Sequence, residues 1–296
     1  MAVGEIQTST DSLSLNGDDG ESRLRVFENR VKQLLRAGGA AWGAALPEAS
    51  NLVAKMSIDT GADFLWIDTE HGAFDIEAVA MVPVLCRMKN CMPMIRVSGL
   101  DPSLVKKALD IGASAVMVPQ VNNAEEAFRA VQYAKYPPKG TRGVSPTWTF
   151  YLDVPYSDYL PAANDETCVI VQVESLDGIQ NLEAIAEVDG VDVVFAGPSD
   201  LAASLGHIGQ TDHPVVQAVL EEFPKRVAKT GKSSGIAVAG LNASIKAYEQ
   251  GYRFINVGHI LVHGTLGLGA DLRRLREYVA EREGRTGADA SPVAVS

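Results

Sequence analysis

The chain has 296 residues, of which 46% are apolar and 21% charged, a balance typical of a soluble globular enzyme with a substantial core. Its formal net charge of −11 argues against a nucleic-acid binder, because affinity for phosphate backbones depends on clustered Lys and Arg. No stretch approaches the about 18 uninterrupted apolar residues of a membrane span, and the start of the chain lacks a signal-peptide pattern. We therefore expect a cytoplasmic protein that binds neither membranes nor nucleic acids.

Both ends of the chain are predicted to be disordered. Residues 1–21 are rich in Ser, Asp, Gly and Thr, and residues 283–296 are similarly poor in large apolar side chains. Such segments bury too little apolar surface to offset the entropy lost on ordering. The remaining residues, 22–282, are predicted to form one domain that begins with an extra helix near residues 22–36.

Short apolar runs alternate with amphipathic helices through this domain, and the number of runs indicates the fold. Strands are predicted near residues 40–46, 63–68, 92–97, 114–119, 168–174, 192–197, 234–239 and 253–258. Eight β/α units that close on themselves form a (β/α)8 TIM barrel. A doubly wound open sheet is the alternative, because a count of strands does not prove closure. The three cysteines, Cys86, Cys91 and Cys168, lack a metal-type spacing and are interpreted as reduced core residues.

One connection is unusually long. Residues 136–165 include the aromatic side chains Trp148, Phe150 and Tyr151. Long loops in compact domains are usually functional, so we expect this segment to act as a lid or as part of the pocket wall.

Polar side chains cluster at the predicted strand ends. In a TIM barrel the carboxyl ends of the strands meet at one mouth, which holds the active site. The apolar run 64–67 of the second strand leads directly into polar residues, and strands three, five and six also end in polar groups or a turn. The candidate site residues are Asp68, Glu70, His71, Arg96, Gln172, Glu174, Gly197, Pro198, Ser199 and Asp200.

Glu174 and Asp200 end neighbouring strands and could share a divalent ion. Two carboxylates with open coordination positions suit Mg²⁺, Mn²⁺ or Co²⁺, which accept further oxygen ligands from a substrate. The alternative is a structural carboxylate pair in which one member binds Arg96 or Arg142.

Arg96 ends an apolar strand, where a guanidinium must find an anion. Its planar fork suits a substrate carboxylate or keto oxygen, but a salt bridge to Asp68 or Glu70 is an equal alternative. His71 lies beside the candidate metal site and could be a general base, oriented by Asp110.

The motifs resemble those of the HpcH/HpaI aldolase family of metal-dependent class II pyruvate aldolases, in the branch that cleaves 4-hydroxy-2-oxo-heptane-1,7-dioate and 2-keto-3-deoxy sugar acids. The resemblance covers roughly residues 25–280. It rests on residues 68–72 (DTEHG), Arg96, residues 142–144 (RGV), residues 172–174 (QVE) and residues 197–201 (GPSDL), which occur in the family's order.

This resemblance implies a phosphoenolpyruvate/pyruvate-type barrel that cleaves 4-hydroxy-2-oxo acids to pyruvate and an aldehyde through a metal-stabilised enolate. It also implies dimers or hexamers in which the last helix is exchanged between subunits. The implied roles are metal ligands for Glu174 and Asp200, and a keto-oxygen ligand for Arg96. His71 and Asp110 would form the acid/base pair.

The remaining implied roles concern the substrate and the supporting groups. Gln172 and residues 197–200 would hold the pyruvyl end of the substrate. Asp68, Glu70 and Arg142 would support the groups in direct contact with metal or substrate. A Schiff-base mechanism is not expected, because no predicted strand end carries a lysine.

Some positions depart from the family pattern and leave the second half of the substrate open. They are Ala45 at the end of strand one, the aromatic residues in segment 145–160, and His259 after strand eight. His259 and His263 are four residues apart, but flanking glycines make a second metal site there doubtful. The alternatives are a lyase or cyclase of specialised metabolism that acts on a bulkier substrate, and a non-catalytic binding protein that retains the barrel.

Overall fold

A computed structural model describes residues 25–282; the predicted disordered tails, 1–21 and 283–296, lie outside the described residues. Eight parallel strands form a closed barrel in sequential order. The strands are β1 Ala41–Ala45, β2 Phe64–Asp68, β3 Met92–Arg96, β4 Ala115–Val118, β5 Cys168–Val173, β6 Val193–Ala196, β7 Ser233–Ala237 and β8 Phe254–Asn256. Closure is direct, because Ala41 of β1 pairs with Phe254 of β8. The predicted TIM barrel is confirmed, and the open sheet is excluded.

Helices surround the barrel. They are α1 Arg30–Arg36, α2 Asn51–Ile58, α3 Val82–Met88, α4 Pro102–Asp110, α5 Ala124–Ala134, α6 Tyr156–Glu166, α7 Leu176–Gln180, α8 Leu182–Ala186, α9 Pro198–Ser204, α10 Pro214–Ala228, α11 Leu241–Gln250 and α12 Ile260–Arg282. Asp101 caps α4 by accepting from the N–H groups of its first turn, and Asn123 caps α5 by accepting from the N–H of Glu126. Within residues 25–282 no helix combines the length and the apolar character needed to cross a membrane.

Aromatic rings and methionines fill the inside of the barrel. Phe64 stacks on Phe254 with ring centroids 3.9 Å apart. Trp66 and Phe195 pack edge to face with ring centroids 5.5 Å apart. Gly43 makes room for this packing, because a Cβ there would lie 2.1 Å from the Phe64 ring. The barrel is therefore a packed core below the level of the mouth. All three cysteines are free and buried, as predicted.

Helix α1 closes the amino-terminal end of the barrel and corresponds to the second half of the extra helix predicted near residues 22–36. Asn29 caps it by accepting from the N–H of Lys32 at 3.0 Å, and the Asn29 amide also donates to the carbonyl of Ser114. Val31 and Leu35 pack into the barrel interior. The helix thus seals the end opposite the candidate site.

The long connection also lies at this amino-terminal end, so the expectation of a lid or pocket wall is wrong within this chain. It joins the end of α5 to the start of β5, and an α-to-β connection in such a barrel lies opposite the mouth. Trp148 is fully buried against Tyr159, with ring centroids 5.0 Å apart, and the Arg87 guanidinium stacks 3.9 Å from its ring. Trp148, one of the aromatic residues that suggested a pocket wall, is therefore part of the hydrophobic core at this end.

Candidate active site

Arg96 is clamped between two carboxylates at the end of β3. Its Nε and Nη2 donate to the two carboxylate oxygens of Asp68 at 2.9 and 2.5 Å, and its Nη1 lies 3.1 Å from Oε2 of Glu70. The guanidinium also lies over the indole of Trp66, 4.8 Å from the ring centroid. The salt bridge considered as an alternative is therefore present, and it involves both candidate partners. These contacts fix the plane of the guanidinium at the mouth.

One edge of Arg96 still faces the cavity. Its Nη1 donates to the side-chain oxygen Oε1 of Gln172 at 3.3 Å, and both side chains line the cavity at the mouth. A hydrogen bond from a guanidinium to a neutral amide is weaker than one to an anion, so a substrate anion can replace the Gln172 oxygen as the partner. The salt bridges orient Arg96 and leave it able to meet a substrate oxygen.

The two carboxylates of this clamp respond differently to their surroundings. Burial acts to raise the pKa of Asp68, but the bidentate contact with Arg96 and two backbone N–H groups lower it overall. Burial dominates at Glu70 and raises its pKa in spite of Arg96, with Asp68 and Asp200 adding to the rise. Asp68 is therefore the firm ion-pair partner, and Glu70 is the carboxylate that would gain from a further cation.

Glu174 follows β5 and is held by hydrogen bonds on both oxygens. Oε1 accepts from the backbone N–H of Gln120 at 2.9 Å, and Oε2 accepts from the Gln172 amide. Gly197, directly after β6, faces this carboxylate: a Cβ at that position would lie 2.4 Å from Oε2. The glycine at the start of the GPSD turn is therefore required by the carboxylate beside it.

The electrostatics at Glu174 fit a site for a cation. Burial raises its pKa to about 7, and the charges of Asp200 and Glu70 add to this rise. Neither Glu174 nor Asp200 forms an ion pair with an arginine among residues 25–282, so the alternative of a structural pair bound to Arg96 or Arg142 is not supported. Two neighbouring carboxylates without a cationic partner are a donor set that suits a divalent ion. No cluster of three or more His, Cys, Asp or Glu with metal-site geometry occurs in the described part of the chain, so the fit rests on these two ligands.

His71 lies on the same cavity with its side chain 66% exposed. Its Nε2 is 3.9 Å from Oε2 of Glu70, which is too long for a hydrogen bond. The backbone after β2 is held by the same aspartate that binds Arg96, since Asp68 Oδ1 accepts from the N–H of Glu70 at 3.1 Å. The imidazole is thus presented to the cavity on an anchored turn.

Asp110 and Arg142 are not beside His71 in this chain. Asp110 is the last residue of α4, at the amino-terminal end of the barrel, and its Oδ1 accepts from Nη2 of Arg142 at 2.7 Å. Burial outweighs this contact and raises the pKa of Asp110. The single chain does not bring His71 and Asp110 together, so their pairing stays a prediction, and Arg142 supports Asp110 rather than the mouth.

A cavity of about 910 Å³ opens at the mouth and extends over the end of β7. Arg96 and Gln172 line its inner end, and residues 197–200 line its side. The apolar residues 236–239 (Ile, Ala, Val and Ala) form the floor beyond them. Lys246 of α11 lies at the outer end, where its Nζ lies 3.0 Å from Oε1 of Gln217. The cavity has room for a substrate that extends past the pyruvyl position.

The atypical positions Ala45 and His259 lie on the opposite rim. The Ala45 N–H donates to the carbonyl of Gly258 at 2.8 Å, which joins the ends of β1 and β8. His259 directly precedes α12, and His263, one turn on, lies 3.5 Å from the carbonyl oxygen of Val257. Within residues 25–282 these histidines form no metal cluster.

Two contacts of the site are not evident from the sequence pattern. Trp66, a residue of the apolar run 64–67, lies under the Arg96 guanidinium, and the backbone N–H of Gln120 donates to Glu174. Trp66 could be predicted from its position, because residues two apart in a strand share a face and Trp66 is two residues before Asp68. The Gln120 contact depends on main-chain geometry, which residue type does not reveal.

Comparison with known proteins places this arrangement in context. The profile described as HpcH/HpaI aldolase/citrate lyase matches residues 43–262. A 4-hydroxy-2-oxo-heptane-1,7-dioate aldolase of Shigella flexneri is 36% identical over 263 residues, covering 88% of this chain and 95% of that protein. A hydroxypyruvate/pyruvate aldolase of Pseudomonas aeruginosa is 38% identical over 236 residues, covering 78% and 86%. The crystal structure of an HpcH/HpaI aldolase/citrate lyase family protein from Burkholderia cenocepacia J2315 superimposes with a TM-score of 0.76 at 35% identity, covering 84% and 99%.

Proposed function

Because this chain belongs to the HpcH/HpaI aldolase/citrate lyase family and is an aldolase, a carbon–carbon lyase, we propose that it cleaves a 4-hydroxy-2-oxo acid reversibly to pyruvate and an aldehyde. The observation that carries the proposal is the grouping of Arg96, Gln172, Glu174 and His71 at one end of the barrel. This reaction needs an anion-binding fork, a buried carboxylate and an exposed imidazole; the carboxylate, Glu174, has no cationic partner within residues 25–282.

The pyruvyl half of the substrate binds at the inner end of the cavity. Arg96 Nη1 donates to its keto oxygen, and the Gln172 amide and residues 197–200 hold its carboxylate. The Arg96 plane is fixed by Asp68 and Glu70 before substrate arrives, so little reorganisation accompanies the development of negative charge on the keto oxygen.

Glu174 and Asp200 would hold a divalent cation, such as Mg²⁺, Mn²⁺ or Co²⁺. When bound, such an ion supplies Lewis-acid stabilisation for the enolate charge. The rise of the Glu174 pKa to about 7 supports this assignment, because a cation removes the repulsion that causes part of the rise.

His71 takes the proton of the 4-hydroxyl group. As the proton leaves, the C3–C4 bond breaks, its electron pair forms the C2–C3 double bond of the pyruvate enolate, and C4 becomes the aldehyde carbonyl. Protonation at C3 then gives pyruvate. The exposure of His71 at the cavity gives its ring access to the substrate hydroxyl and to water.

Proton exchange tests the core of this proposal. In D₂O with Mn²⁺, the protein should exchange the methyl protons of pyruvate, and Glu174→Gln should abolish the exchange while Glu221→Gln, on the surface of α10, leaves it unchanged. Loss of exchange on chelation and its return with Mn²⁺ should accompany this result. Exchange that persists at the wild-type rate in Glu174→Gln would contradict the proposal.

The second half of the substrate lies over β7. Lys246 is the cation at the outer end of the cavity, and its contact among the described residues is the neutral Gln217 amide, so an aldehyde with a distal carboxylate fits there. The bulkier-substrate alternative loses the support of the aromatic segment, which packs at the other end of the barrel. Its remaining basis is the small Ala45 side chain at the rim.

We further propose that the protein is a homo-oligomer, assembled through α12. This helix is 23 residues long, and of its residues only Ala280 is buried, while eight large apolar side chains are exposed. Such a surface is unusual on a monomer. A second copy that accepts α12 would cover it, as the family resemblance implies.

A further inference from the structure

Gln120 has a strained backbone at the candidate active site. It follows the end of β4 and has φ 55°, in the left-handed region that residues other than glycine, asparagine and aspartate rarely adopt. Its side chain is exposed, so packing does not explain this conformation. The conformation aims the backbone N–H at Oε1 of Glu174, 2.9 Å away. Strain at such a position persists only where neighbouring groups hold it.

Asn122 is the group that holds Gln120. Its side-chain Nδ2 donates to the carbonyl oxygen of Gln120 at 2.8 Å, while its Oδ1 accepts from the hydroxyl of Ser175. Ser175 directly follows Glu174 in sequence. One amide therefore ties the strained turn after β4 to the end of β5, on both sides of the Glu174 carboxylate.

The Asn122 backbone is anchored independently of its side chain. Its N–H donates to Oε2 of Glu126 at 2.7 Å, and its carbonyl accepts from the side chain of Asn181 at 2.9 Å. The side chain consequently projects from a fixed point. A truncation at position 122 should remove the link without displacing the start of α5.

We propose that Asn122 is a positioning residue for Glu174: its side-chain amide holds Gln120 and Ser175 so that the carboxylate is aimed at the cation site. This role rests on the proposed function, in which Glu174 and Asp200 hold a divalent ion. Groups that orient a metal ligand typically change affinity for the metal by about 10- to 100-fold when they are removed.

The test is a titration of the metal-free full-length protein with Mn²⁺. Calorimetry and electron paramagnetic resonance measure the dissociation constant for Mn²⁺. Asn122→Ala should weaken Mn²⁺ binding by about 10-fold or more. The control is Asn181→Ala, which removes the bond to the Asn122 carbonyl but leaves the bond from the Asn122 N–H to Glu126 and both side-chain bonds of Asn122 in place. It should bind Mn²⁺ with wild-type affinity.

A second substitution separates positioning from general loss of structure. Glycine adopts the left-handed conformation without strain, so Gln120→Gly added to Asn122→Ala should recover most of the lost affinity. Thermal unfolding of each variant checks that the fold is intact.

The outcomes divide clearly. Equal Mn²⁺ affinities for Asn122→Ala and Asn181→Ala, or no recovery in the double variant, would overturn the positioning role while leaving the proposed function standing. A wild-type protein that binds no Mn²⁺, Mg²⁺ or Co²⁺ would overturn both.

Discussion

At the scale of single residues, the site depends on charged side chains that are shielded from solvent together with partners of opposite charge. Arg96 is buried with Asp68 and Glu70, and each carboxylate contacts a different part of its fork. Removal of one member of such a set leaves an uncompensated buried charge, which is strongly destabilising. Arginine supplies this geometry and lysine does not, because an ammonium cannot donate in a plane to two carboxylates at once.

Arg96→Lys should therefore separate charge from geometry. Under the proposed function, we expect kcat/KM for retro-aldol cleavage to fall about 100-fold or more, since the preset donor assigned to the keto oxygen is lost. The free energy of unfolding should fall by about 1–3 kcal/mol, because both carboxylates keep only part of their partner. Steady-state kinetics and urea denaturation measure the two effects. Arg129→Lys, at an exposed arginine of α5, is the control and should change neither.

Lys135 gives a prediction about pH. Burial lowers its pKa to about 8, with the nearby Lys32 adding to the shift, and both ammonium groups donate to the carbonyl of Thr167. The folded pKa lies below the unfolded value of 10.5, so the folded state binds fewer protons between these values and stability rises with pH there.

The wild type should consequently gain about 2–3 kcal/mol relative to Lys135→Met between pH 7.5 and pH 10, at about 1.4 kcal/mol per pKa unit. Denaturation by urea at several pH values measures the difference. The exposed Lys107→Met variant should show no such trend. A stability difference between Lys135→Met and the wild type that does not vary with pH would contradict the assignment.

At the scale of elements, the strands and their polar ends could be predicted from sequence, and the connections could not. Runs such as 64–67 are continuous and apolar because both faces of a barrel strand are buried. This pattern is visible in the amino-acid sequence. The rule that strand ends meet at one mouth then identified Arg96, Gln172 and Glu174. Asp101 and Asn123, residue types that favour helix starts, lie at the starts of α4 and α5.

Contacts that depend on the path of the main chain were beyond sequence reasoning. The Gln120 N–H donates to Glu174 because the Gln120 backbone is left-handed. Glutamine rarely adopts that conformation, so the residue type does not predict this hydrogen bond. The length and aromatic content of segment 136–165 suggested a lid, although its place between a helix and the next strand assigns it to the opposite end. The Asp110–Arg142 pair belongs to that same end and was assigned to the site by resemblance.

Helix α12 provides the prediction for this scale. Leu268 and Leu275 are exposed by 63% and 59% and lie two turns apart on its surface. Aspartate at both positions should convert the proposed oligomer to monomers, because charged groups cannot be buried without partners. Light scattering after gel filtration measures the mass. The control is Ile208→Asp, at an exposed apolar residue in the loop after α9, which should leave the mass unchanged; an unchanged mass in the α12 variant would contradict the assembly proposal.

At the scale of the whole molecule, the two ends of the barrel have separate tasks. The carboxyl end carries the polar site, and the amino-terminal end carries α1, the buried lysines and the Trp148 cluster. Stability and chemistry should therefore respond to different substitutions, as is general for this fold.

Trp148→Ala tests this division. Its ring is fully buried between Arg87 and Tyr159, so its removal should cost about 3–5 kcal/mol of unfolding free energy. Affinity for Mn²⁺ should stay within about twofold of the wild type, because the proposed cation site lies at the other end. Thermal unfolding and calorimetry give both values, and Phe150→Ala, at an exposed neighbour, is the control. A large loss of Mn²⁺ affinity in a folded Trp148→Ala protein would show that the ends are coupled.

The floor of the cavity beyond the pyruvyl position has a practical consequence. Residues 236–239 are apolar, and they border a wide opening toward α10 and α11. Under the proposed function the nucleophile is held rigidly by Arg96 and Gln172, whereas the electrophile meets little steric selection. In the synthetic direction such a catalyst joins one fixed donor to many acceptors, so its acceptor range can be redesigned along β7 without disturbing the donor half.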